Sequence, residues 1–180
     1  KDKEIFTLQE SIDLFNLEGI GKSPSKLDMD RILSINETYI KTLNEDRLFL
    51  YFKKYVDNFK SKIEDKFLIK IKNNFSTFKN KAKTLEDIYN NSSFLFKYEK
   101  IDIKKTITPS ELNILIYFYE KIKNLNENDL GKIKLIIDET INEKNIKFKE
   151  FGQPVRLALT GTKYAPSINE IINSLGIEEV

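Results

Sequence analysis

Apolar residues recur at spacings of three and four along nearly all of this 180-residue chain, and helix-start patterns stand in front of several of these stripes. Thr7-Leu-Gln-Glu10 is a capping-box pattern ahead of Ile12, Leu14, Phe15 and Leu17, and Gly19 and Gly21 close that element. Lys22-Ser-Pro24 reads as a turn, and Leu27-Asp28 leads into a second helix carrying Ile32, Leu33, Ile35, Tyr39 and Ile40. A third runs from Glu45 to about Phe59 on Leu48, Phe49, Phe52, Tyr55, Val56 and Phe59, and a fourth from about Ile63 to Phe78. Thr84-x-x-Asp87 starts another, ahead of Leu85, Ile88 and Tyr89.

Thr108-Pro-Ser-Glu111 is the clearest start in the chain: Thr caps, Pro brings a helix-compatible φ to the first position, and Glu111 closes the box. Leu112, Leu115, Ile116, Tyr119 and Ile122 would line that helix, and Ile133, Ile136, Ile137 and Ile141 the next. Pro166 is expected to open a last helix with Ile168, Ile171, Ile172 and Leu175, and Gly176 to cap it in the left-handed region. Residues 97–107 alternate briefly and read as an extended linker, the best candidate for a domain boundary. The expected fold is all-α, in consecutive helical bundles.

Composition removes whole classes of chemistry. There is no cysteine and no histidine. Disulfide scaffolds, thiolate metal sites, a Ser-His-Asp triad and the commonest general base near neutral pH are therefore out. The six glycines (19, 21, 131, 152, 161, 176) stand singly and are expected at element ends, so no glycine-rich phosphate cradle forms. Asp28 and Asp30 point to different faces of a helix, and Glu10, Glu86, Asp87 and Glu111 are explained by capping and the helix dipole. No catalytic residue and no metal ligand is expected. No apolar run reaches the roughly 20 residues that span a bilayer, and none of signal-peptide character follows Lys1-Asp-Lys-Glu4. The expectation is a soluble cytoplasmic protein with no membrane partner, monomeric.

Charge is uneven beneath a net +2. Residues 1–46 sum to −4, whereas residues 53–83 carry 10 Lys against Asp57, Glu64 and Asp65. Tyr51, Phe52, Tyr55, Phe59, Phe67, Phe75 and Phe78 interleave with those lysines, a pattern suited to nucleic acid. Lys60, Lys62, Lys66, Lys70 and Lys72 are the candidate backbone-contact residues. A solvated helical face is the competing reading, because 27 Lys, 25 Ile and 17 Asn also follow from an AT-rich genome. The same bias makes arginine scarce, with three in the chain (Arg31, Arg47, Arg156), so Arg156 in its glycine- and proline-bearing segment needs a reason. Arg156 offers a planar fork and stacking that Lys lacks. Internal pairing competes with function for it.

The segment around Arg156, Gly152-Gln-Pro-Val-Arg-Leu-Ala-Leu-Thr-Gly161, resembles the P-L-R-x-A-L-T-G motif in the C-terminal region of bacterial glutamyl-tRNA synthetases. Further stretches agree in order: Glu4-Ile-Phe-Thr-Leu-Gln-Glu10, Leu14-Phe-Asn-Leu17, Lys22-Ser-Pro24, Asn36-Glu-Thr-Tyr-Ile40, Ala82-Lys-Thr-Leu-Glu-Asp-Ile88 and Asn169-Glu-Ile171 with Leu175-Gly176. The resemblance implies a chain beginning just after the family's class I catalytic loop and lacking its H-I-G-H motif. It implies the end of the stem-contact fold over 1–44 and two anticodon-binding helical domains over 45–98 and 99–180.

Function then follows as an expectation: binding of tRNA(Glu), with tRNA(Gln) as a further partner, for aminoacylation by a catalytic domain that is absent here. ATP and Mg would belong to that domain, and the portion at hand would hold no cofactor and be inactive alone. By position, Arg156, Ala165, Pro166 and Ile168 match anticodon-contacting residues of the family. Lys81 falls where some members place an Arg that selects the last anticodon base. A helical protein-interaction scaffold without a nucleic-acid role is the alternative.

Overall fold

The computed structural model describes residues 5–21, 26–97, 106–125, 129–163 and 165–180. Those residues contain helix and no strand. The expected turn at Lys22-Ser-Pro24 and most of the expected 97–107 linker lie outside them.

In chain order the described elements are α1 (Leu8–Leu14), α2 (Met29–Thr42), α3 (Glu45–Phe59), α4 (Asp65–Asn73), α5 (Phe75–Lys79) and α6 (Leu85–Ser92), followed by a 3₁₀ turn at Ser93–Leu95. Then come α7 (Pro109–Ile122), α8 (Leu130–Lys144), α9 (Phe148–Thr160) and α10 (Ile168–Leu175), with a closing 3₁₀ turn at Ile177–Glu179. Thr7, Thr84, Thr108 and Ser167 each close a capping box, which fixes where α1, α6, α7 and α10 begin. At α7 the backbone N–H and hydroxyl of Thr108 both donate to Glu111, and they hold that carboxyl below its ordinary pKa.

Two apolar cores result. The first joins Ile40, Phe49, Phe52, Val56, Ile71, Phe75, Phe78 and Ile88 among others. Its centre is aromatic, with Phe49 edge-on to Phe75 at 5.2 Å and Phe52 at 5.8 Å from the same ring. The second gathers Ile114, Phe118, Ile122, Ile133, Ile137, Phe151, Val155, Ile168 and Ile172, with Phe118 edge-on to Phe151 at 5.0 Å.

The end of α10 ties the two cores together. Leu175 packs on the first core, its carbonyl accepts from Lys70 Nζ at 3.0 Å, and Glu179 pairs with the same ammonium at 2.6 Å. Asn173 Nδ2 donates to Asn74 Oδ1 at 3.1 Å.

Five details depart from the sequence reading. The helix expected over 63–78 is broken at Asn74 (φ −115°, ψ 20°), whose Nδ2 donates to the Lys70 carbonyl at 3.0 Å while its Oδ1 is taken by Asn173. The Asn74 backbone N–H still donates to the Lys70 carbonyl at 3.2 Å, so backbone and side chain share that acceptor where the helix ends. Gly152 and Pro154 lie inside α9, not at its ends.

The last helix is capped by Ser167, and Pro166 stands one residue outside it. Gly176 has positive φ (94°) but an extended ψ (144°), whereas Gly161 (77°, −2°) supplies the left-handed turn after α9. Finally, the N-terminal stripe is not core. Ile12, Leu14, Phe15 and Leu17 are all more than half exposed, and no described residue before Ile40 is buried.

Candidate nucleic-acid interface

Where the α5–α6 connection meets the turn before α10, the surface is concave. Thr77, Asn80, Lys81 and Asn91 face Ala165, Pro166 and Glu170 across a hollow of about 270 Å³. It adjoins a second hollow of about 460 Å³ that shares Thr77, Asn80 and Glu170 and adds Lys41, Ser76 and Lys79.

Both walls are held from behind. Lys81 is flanked by Phe78 and Ala82, each fully buried, and Asn91 Nδ2 donates to the Phe78 carbonyl at 3.0 Å. On the other wall Arg156 Nε donates to the Pro166 carbonyl at 3.0 Å. The left-handed turn at Gly161 and the Thr160 hydroxyl, which donates to the Thr162 carbonyl at 3.1 Å, bring the chain round to that point.

The candidate residues therefore separate into groups. Lys81, Ala165 and Pro166, remote in sequence, line one hollow. Arg156 stands behind Pro166 rather than among the lining residues, with its guanidinium carbon 5.9 Å from the Phe148 ring. The guanidinium sits close over Gly152, where a Cβ would lie 3.0 Å from Arg156 Nη1. Ile168 is 2% exposed and packs in the second core, so its side chain is withdrawn from the surface.

The basic block is less bare than its sequence suggests. Lys60 pairs with Glu86 at 2.6 Å, Lys66 with Glu64 at 3.1 Å, Lys70 with Glu179 and Lys72 with Asp46 at 3.3 Å. The hydrogen bond from Lys60 to Glu86 holds the ammonium above its ordinary pKa. Lys62 is exposed and makes no ion pair among the described residues. Exposed pairs of this kind contribute little, about 0–1 kcal/mol each, so a phosphate can replace most of these carboxylates at small cost. Lys70 differs, because it also holds the Leu175 carbonyl.

Three features went unseen in the sequence. Thr77 falls inside the helix expected to Phe78 and Asn80 just beyond it, and Glu170 belongs to a capping box with Ser167 where the helix was expected to open at Pro166. Arg47 belongs to a concavity of about 780 Å³, where Tyr39, Tyr51, Tyr55 and Phe59 line a groove between α2 and α3. Arg47 Nη2 donates to Tyr51 Oη at 3.4 Å. Its scarcity as an arginine was the available signal. Among the described residues no group of three or more His, Cys, Asp or Glu could hold a metal ion, and no helix is long and apolar enough to cross a membrane.

Residues 47–180 match the family described as "Anticodon binding domain". The chain belongs to that family. Similar proteins include the glutamate–tRNA ligase of Pelagibacter ubique (strain HTCC1062), 49% identical over 100% of this chain and 39% of the relative. That of Wigglesworthia glossinidia brevipalpis is 33% identical over 97% of this chain and 37% of its own length. The chain thus spans less than two fifths of these curated relatives.

Among solved structures, a glutamate tRNA ligase from Elizabethkingia meningosepticum CCUG26117 in complex with its amino acid superposes with a TM-score of 0.73. It covers 98% of this chain and 35% of that one at 24% identity, a likeness that speaks for the fold.

Proposed function

We propose that this chain is the anticodon-binding C-terminal portion of a glutamate–tRNA ligase, and that it positions tRNA(Glu) for a class I catalytic domain carried elsewhere in the parent protein. The observation that carries the reading is the family match over 47–180, on a fold whose hollow gathers Lys81, Ala165 and Pro166. Sequence-specific RNA recognition uses unstacked loop bases, and a cleft between two helical units with a donor on one wall and a proline turn on the other suits such a base. The proposed division is 1–44, 45–98 and 99–180; the first core takes Ile40 and Leu43 from the first of these and Leu175 from the last, and the second core lies within the last. ATP and Mg would bind the catalytic domain, and this portion would be monomeric, cytoplasmic and inactive alone.

Lys81 offers one ammonium where a bidentate arginine fork would select between bases more sharply. For that reason tRNA(Gln) belongs to the proposed partners, with affinity within about tenfold of tRNA(Glu), a gap of about 1.4 kcal/mol. The test is binding of tRNA(Glu), tRNA(Gln) and an unrelated tRNA across a salt series. Affinity should fall with a log–log slope of about −0.7 to −0.9 per phosphate neutralised. A slope near zero, or no binding of any tRNA, would sink the reading in favour of a protein-docking scaffold.

The lysine block gives a second expected result. Lys62→Ala with Lys66→Ala should weaken all three tRNAs equally and flatten the slope by roughly one for each phosphate no longer neutralised, with the melting temperature unchanged. Lys70→Ala should also lower the melting temperature, because it frees Glu179 and leaves the Leu175 carbonyl without its ammonium. Unchanged binding in the double variant would make the block a solvated face.

A further inference from the structure

Glu170 is the one carboxylate among the residues that line the two adjoining hollows, where Lys41, Lys79 and Lys81 bring charge of opposite sign, the first two from surface pairs with Glu37 and Glu45. Its capping role occupies only half of it. Oε2 accepts from the Ser167 backbone N–H at 2.8 Å and from the Ser167 hydroxyl at 2.6 Å. Oε1 has no partner among the described residues. The cap thus fixes the side chain while leaving one anionic acceptor beside the cleft, at little further entropic cost.

An anionic acceptor repels phosphate and welcomes an N–H donor. In a cleft rimmed by lysines, phosphates settle on the rim and a base edge turns inward. We infer that Glu170 is a specificity-determining residue of the proposed interface, where its free oxygen accepts a hydrogen bond from the exocyclic amino group of the base seated against Pro166. This rests on the anticodon-binding reading above.

Glutamate codons GAA and GAG require an anticodon ending in C, and glutamine codons CAA and CAG one ending in G. Both bases carry an exocyclic amino group. Uracil has none and presents O4 where cytosine presents its N4 amino group. Glu170 therefore accepts from the cytosine that ends the glutamate anticodon and penalises U at that position. Carboxylate acceptance from cytosine N4 is an established base-reading contact.

Glu170→Gln isolates the effect. A glutamine serves a capping box as well as a glutamate, so its amide oxygen keeps the bonds from Ser167 and the melting temperature holds. The free atom then changes from an acceptor to a donor. The experiment uses the full 180-residue chain and two tRNA(Glu) transcripts, one native and one with the last anticodon base changed from C to U. The native chain should bind the C form about tenfold more tightly than the U form, and Glu170→Gln should erase or invert that ratio. Glu170→Ala should lose the ratio and some melting temperature together.

A C-to-U ratio that is the same in the native chain and in Glu170→Gln would overturn the assignment, as would a native chain indifferent to the change. A native chain that binds neither transcript would instead remove the anticodon-binding reading on which this one stands.

Discussion

Phe52→Ala should cost about 3–5 kcal/mol, the range for emptying an aromatic site in a packed core. Phe52 is fully buried, 6.1 Å from the Phe49 ring and 5.8 Å from Phe75, so the cavity would open between α3 and α5. Neighbouring rings on two helices limit how far the hole can collapse. Against a typical domain stability of about 5–15 kcal/mol, the loss removes a large share of what holds the chain folded.

Phe59, on the same helix and in the same apparent stripe, is the internal control. It is 72% exposed and stacks on Tyr55 at 5.5 Å, so Phe59→Ala should change stability by less than about 1 kcal/mol. Urea midpoints of the two variants decide the matter. Comparable losses would mean that α3 does not pack as described. A Phe52→Ala chain with an unshifted midpoint would mean the same.

The contrast between Phe52 and Phe59 shows where sequence reasoning stops. Period and caps are local, and they located most helices: the boxes at Thr7, Thr84 and Thr108 start α1, α6 and α7, and the stripes of α3, α8 and α10 face inward over most of their length.

Facing fails where apolar residues are continuous. From Leu112 to Ile122 nearly every position is apolar, so the period cannot choose a side. Of the expected line, Leu112, Ile116 and Tyr119 stand 42–52% exposed, Leu115 packs on the second core and Ile122 is buried, while Ile114 and Phe118, outside that line, are buried too. Tertiary neighbours decided it, since Phe118 meets Phe151 from α9.

The break at Asn74 depends on Asn173, and no local pattern contains that partner. The cleft is of the same kind. Lys81, Ala165 and Pro166 could be named singly through the family resemblance, but their common hollow exists only once Leu175 and Lys70 have docked one core on the other. Glu170 stayed hidden because the helix was expected to open at Pro166, and only the folded chain shows the Ser167 box using one of its two oxygens.

Arg156→Lys should lose about ten- to a hundredfold in affinity for the cognate anticodon, equivalent to about 1.4–2.8 kcal/mol. The guanidinium does two things that an ammonium cannot do together. Nε is committed to the Pro166 carbonyl at 3.0 Å, which sets the turn forming one wall of the cleft. The remaining planar edge lies over Gly152, with its carbon 5.9 Å from the Phe148 ring.

Lysine can reach one of these partners as a point charge, but it has no fork with which to hold the turn and meet a base or stack in one geometry. The loss should fall on the cognate anticodon and spare a scrambled one. Stability should drop by no more than the roughly 1.5–3 kcal/mol of a single charge-assisted bond, because Lys retains the charge.

Gly152→Ala provides the independent check. Its Cβ would lie 3.0 Å from Nη1 and shift the guanidinium by a few tenths of an ångström without removing it, so a loss smaller than that of Arg156→Lys, in the same direction, is expected. Equal losses on cognate and scrambled tRNA would identify a phosphate contact. A lowered melting temperature with unchanged affinity would confine Arg156 to the support of the Pro166 turn, leaving base selection to the residues that line the cleft.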